Sequence, residues 1–121
     1  MWAICIGVLA GLIVAGLTNY HIPVAYSLYV AVGVLAALDT VFGGLAATLS
    51  KNFSMRIFIS GFIFNSLIAV ALVYLGKLLG IDLTLAAIVV FGSRIFQNFA
   101  TIRRLLLNKL TDKNRIQLNN E

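Results

Sequence analysis

Four apolar segments take up nearly all of this 121-residue chain and constrain its fold more than any other feature. They run from Trp2 to Thr18, from Val24 to Leu49, from about Met55 to Tyr74 and from Leu83 to about Ile102. A helix rises about 1.5 Å per residue and bilayer hydrocarbon is about 30 Å thick, so roughly twenty apolar residues make one crossing. With 61% hydrophobic and 11% charged residues, the chain carries too much apolar surface for water to cover. The expected fold is all-α: a polytopic membrane protein of four transmembrane helices over residues 1–109, with a short polar cytoplasmic tail over residues 110–121.

The loops between segments are short, which joins antiparallel neighbours into a compact bundle and leaves no room for a second domain. Pro23 stands where a helix can begin. The first segment has no Lys or Arg before its apolar run and no small-x-small cleavage site, so it reads as a span rather than a removed leader.

Charge sets the expected orientation. Lys51 and Arg56 flank the second loop, and Arg103, Arg104, Lys109, Lys113 and Arg115 follow the last span, whereas Lys77 stands alone near the opposite side. The positive-inside bias places the second loop, the C-terminus and, with four spans, the N-terminus in the cytoplasm. Tyr20, Tyr26, Tyr29 and Tyr74 fall at the outer boundary, where an amphipathic ring is well accommodated. Orientation and anionic headgroups account for the net charge of +5, so no nucleic acid is expected as a partner, and membrane lipids are. Cys5 is the single cysteine and His21 the single histidine, so neither an internal disulfide nor a metal or other cofactor site is expected.

Inside the spans the informative residues are the polar ones: Asp39 and Thr40 in the second, Asn65 in the third, and Arg94, Gln97 and Asn98 in the fourth. Ala36, Asp39, Thr40, Gly43 and Ala47 share one stripe at three- and four-residue steps, as do Phe58, Gly61, Asn65 and Ala69, and Arg94, Gln97, Asn98 and Thr101. An ionised carboxylate at such depth costs about 3 kcal/mol on insertion scales, and Arg94 is the one cation deep enough to meet Asp39. The expectation is an intramembrane ion pair, completed by Asn65, Asn98 and Thr40, that either fixes helix register or forms a functional polar site. Gly43, Gly44 and Gly61 flank it and allow close helix approach. In the first span Ala3, Gly7, Gly11 and Ala15 recur every four residues, suiting a packing face within the chain or between copies in a homo-oligomer.

The strings Leu35-Ala36-Ala37-Leu38-Asp39-Thr40-Val41-Phe42-Gly43-Gly44, Ile59-Ser60-Gly61-Phe62-Ile63-Phe64-Asn65 and Phe91-Gly92-Ser93-Arg94-Ile95-Phe96-Gln97-Asn98, followed by Ile102-Arg103-Arg104, closely resemble the small basic protein family over most of Met1 to Lys109. The resemblance implies a multi-pass protein of the bacterial plasma membrane, from a group whose genes often lie beside cell-division genes. It implies no activity. No catalytic set is visible, so the leading expectation is a non-enzymatic, self-associating scaffold or interaction protein linked to division or envelope growth and contacting other membrane proteins. The alternative is a small homo-oligomeric transporter or channel with a polar path near Asp39 and Arg94.

Overall fold

The computed structural model describes residues 1–121 and is all helix: α1 Trp2–Leu17, α2 Val24–Leu49, α3 Met55–Leu79 and α4 Thr84–Asn119. Three of these, α2, α3 and α4, are long and apolar enough to cross a membrane, while α1 is a shorter apolar helix of 16 residues. The surface area of 8917 Å² is well above the roughly 6,400 Å² of a soluble monomer of this mass. Much of the exposed surface belongs to large apolar side chains, which lipid or another protein chain must cover.

The helices end where their sequences direct. Gly80 takes the left-handed conformation with φ 65°, and the Ile81 N–H reaches back to the Gly76 carbonyl at 3.1 Å, closing α3 in a Schellman turn. Gly76 also permits the return of the chain, because a Cβ there would meet the Ile81 carbonyl oxygen at 2.7 Å. The Asp82 carboxylate then accepts from the Leu85 N–H and starts α4. At the other end α2 closes in the same geometry, with the Asn52 N–H on the Ala47 carbonyl at 2.8 Å, but Lys51 rather than glycine occupies the left-handed position at φ 61°.

Packing follows the stripes. Val32 and Ala36 of α2, Ala69 and Val73 of α3, and Ala87 and Phe91 of α4 form one buried cluster. Three of its six members are alanines, so the backbones approach closely. Below it lie Asp39, Asn65 and Arg94, and below those Gly44 against Phe58 and Phe42 against Phe99, with ring centroids 4.3 Å apart. These layers make α3 antiparallel and α4 parallel to α2, which sits at the centre.

The expected compact four-helix bundle is therefore a three-helix bundle with α1 beside it. No helix packs along α1, and none of its residues is buried. Its contact is local: Met1 sits beside Gly44, and Met1, Ile4, Cys5 and Val8 are half-buried on one side. The physical reason is what α1 lacks: its turns are apolar all round, so lipid satisfies every face and no polar group fixes a docking angle. α3 continues past Tyr74 to Leu79, and α4 runs unbroken through the tail to Asn119.

Candidate functional site

α2, α3 and α4 each deliver one polar side chain to the same level. Counting from Leu49, Met55 and Thr84, all three lie about 15 Å from a helix end, near mid-depth. Asp39 is 0% exposed. Arg94 Nη2 lies 3.2 Å from Asp39 Oδ2, and Asn65 Nδ2 donates to that same oxygen at 3.2 Å. A carboxylate only accepts, so the Asn65 amide must turn its nitrogen to Asp39 and keep its own oxygen free as an acceptor. The second carboxylate oxygen, Oδ1, is buried and has no partner.

The expected ion pair is thus present, but its completion differs from the expectation. The Thr40 hydroxyl donates to the Ala36 carbonyl at 2.9 Å, one turn back in its own helix, and gives Asp39 nothing. Asn98 faces Gly43, with its amide nitrogen 3.5 Å from where a Gly43 Cβ would stand, and makes no bond to the carboxylate. Gln97 is exposed and outside the cluster. Only Asn65 joins the pair. The Arg94 side chain is 49% exposed on the surface of the bundle, so the pair is sealed on one side only.

The glycines divide in the same manner. Gly44 is a true close approach, since a Cβ there would lie 2.7 Å from the Phe58 ring. Gly7, Gly11 and Gly61 face open space, so within one chain they do not serve as packing positions. Lys51, Arg56, Arg103, Arg104 and Lys109 are exposed around one end of the bundle. At the other end Lys77 donates to the Ala25 carbonyl at 3.0 Å and stands over the Tyr29 ring, a clasp between α3 and α2 that the sequence reading does not find.

Two spaces adjoin the triad. A cleft of about 170 Å³ runs between α2 and α3 from Asn52, Phe53 and Ser54 in the turn, past Gly43 and Gly61, to Asp39. On the other side a groove of about 280 Å³ between α3 and α4 is walled by Ile68, Leu72, Ala87, Val90 and Phe91 and ends on Asn65 and Arg94. The mouth residues of the cleft carry no sequence signal, because only the turn geometry brings Asn52 and Ser54 over the α2 stripe. No group of three or more His, Cys, Asp or Glu side chains is placed to hold a metal ion.

Comparison with known proteins agrees with the resemblance in the motifs. Residues 22–107 match a family model described as a protein of unknown function, DUF1290. A protein of Bacillus subtilis named small basic protein is 48% identical over 111 residues, covering 92% of each chain. An uncharacterised protein of Mycobacterium tuberculosis and another of Mycobacterium bovis are each 42% identical over 108 residues, covering 86% of this chain and 84% of theirs. No solved structure matches.

Proposed function

The chain belongs to the DUF1290 family, and within it we propose a multi-pass, non-enzymatic protein of the bacterial plasma membrane that works by associating with itself and with other membrane proteins. The observation that carries the reading is the half-exposed Arg94. One chain buries Asp39 but leaves Arg94 half-exposed on the bundle surface, with Gln97 exposed one turn further along the same face. A charge in that position is costly against lipid, and a second chain laid over α4 removes the cost. The uncommitted α1 is consistent with the same reading, because its Ala3, Gly7, Gly11 and Ala15 face is unused within the chain.

In this reading α1 is a fourth span. Met1 lies beside Gly44 near one end of α2, and Leu17 leads by a short loop to Val24 at the other, so α1 traverses nearly the thickness that α2 does. Both termini then face the cytoplasm with the basic end of the bundle. The tie to division and envelope growth rests on the family resemblance alone.

The mass of the protein in detergent or nanodiscs, corrected for bound amphiphile, tests the proposal. A dimer or larger assembly that Arg94→Gln weakens supports it; a monomer at all protein concentrations overturns it. The cleft leading to Asp39 favours a second reading, a small transporter or channel, for which flux of a tracer through proteoliposomes is the deciding measurement.

A further inference from the structure

We propose that the cleft between α2 and α3 is a hydrated vestibule, open at the α2–α3 turn alone, that brings water to the free oxygen of Asp39. The inference is independent of whether the protein self-associates or conducts anything. It starts from Asp39, a residue at the inner end of the cleft, whose Oδ1 is buried without a partner while Oδ2 is held by Asn65 and Arg94. Buried polar atoms in folded proteins are almost always partnered, and where the protein supplies no donor, water does.

The chemistry of the walls says what kind of molecule fits. Asn65 has turned its nitrogen to the carboxylate and offers an oxygen; the Thr40 hydroxyl has committed its proton to Ala36 and offers lone pairs. The inner end therefore carries acceptors with the Arg94 guanidinium beside them as a donor, and an occupant that both donates and accepts fits it. Arg94 already neutralises Asp39, so a metal or ammonium cation would place excess positive charge at mid-membrane, whereas an uncharged donor would not. A volume of about 170 Å³ has room for several waters. Gly61 keeps the passage open for want of a side chain, and Asn52 and Ser54 make its mouth polar. On the far side of the triad the groove is walled by Ile68, Leu72 and Val90, which gives water no comparable route. Asp39 is thereby in communication with one aqueous face.

Single cysteines in a Cys5→Ser background, in oriented membrane vesicles, test this with charged, membrane-impermeant thiosulfonate reagents. Asn52→Cys marks the face on which the turn lies, so the result does not depend on which face that is. Gly61→Cys, in open space on the cleft wall, is expected to react from the same face as Asn52→Cys. Ile63→Cys, at similar depth on the exposed side of α3, is expected to react about 100-fold more slowly, because a thiol against lipid does not ionise. Equal rates at the two positions, or reaction of Gly61→Cys from the opposite face, would overturn the vestibule. Protection of Gly61→Cys by sodium, potassium or ammonium ions would overturn water as the occupant. The unlabelled chain gives an independent reading: the infrared carboxylate band removed by Asp39→Asn should shift in heavy water, and a band that stays in place contradicts hydration of Asp39.

Discussion

Asp39 and Arg94 form one ion pair but stand in different surroundings, and substitution should separate them. Asp39 is sealed in the bundle, whereas Arg94 reaches it from a half-exposed position on a long, flexible side chain. Arg94→Gln leaves a buried carboxylate with Asn65 as its sole donor from the protein, which should cost about 3 kcal/mol or more. Asp39→Asn leaves a guanidinium free to swing toward the headgroups and should cost only about 1 kcal/mol. Denaturant unfolding in micelles should rank Arg94→Gln as the worse change, with the double variant milder than Arg94→Gln alone. Lys51 stores a smaller strain, since an L residue at φ 61° gives up about 1 kcal/mol that glycine does not. Lys51→Gly should raise the melting temperature by a few degrees. The pair itself can be read from the sequence, because two charges within spans have no other partners; the behaviour of Thr40 cannot, because the choice between a neighbouring helix and the carbonyl one turn back is a local rotamer matter.

Among the elements, α2, α3 and α4 carry apolar stripes interrupted by small and polar residues, and those interruptions fix which faces meet. The stripes read from the sequence therefore hold part of what packs, Ala36, Asp39 and Thr40 on α2 and Asn65 and Ala69 on α3. Val32, Gly44 and Val73 join them only in the structure, and Gly61 faces open space. α1 offers no such anchor. Its small-residue face reads equally well as an internal or an external seam, and the structure leaves it open. Replacing Gly7 and Gly11 together with leucine should leave the unfolding of the three-helix bundle unchanged while reducing self-association, as seen by the shift from assembly to monomer on dilution in nanodiscs. A loss of bundle stability instead would place that face within the chain. The tail of α4 behaves oppositely. Residues 110–119 continue the helix, yet every one of them is exposed and none supports the core. Truncation after Lys109 should change thermal stability by less than about 0.5 kcal/mol, so any loss of cellular function would report a contact made by the tail.

At the scale of the whole molecule, orientation and span number are a single question. With α1 spanning, four crossings return both termini to one face; with α1 on the surface, three crossings separate them. Length alone leaves α1 short, because 16 residues reach about 24 Å against about 30 Å of hydrocarbon. Thinning of the bilayer by a few ångströms costs only fractions of a kcal/mol per ångström, and the anchoring of Met1 beside Gly44 holds the start of α1 at the level of the basic turn. Its other end must reach Val24, where Tyr26, Tyr29 and the Lys77 clasp mark the opposite boundary. A helix fixed at both ends in this way suits the proposed fourth crossing. Complementing split fluorescent fragments, one in the cytoplasm and one fused in turn to each terminus, should light with both fusions. Alkaline phosphatase placed after His21 should be active, and placed after Asn52 it should not. Fluorescence from the C-terminal fusion alone would put α1 on the membrane surface and reduce the protein to three spans, with the Gly7 and Gly11 face then turned to headgroups instead of to a second copy.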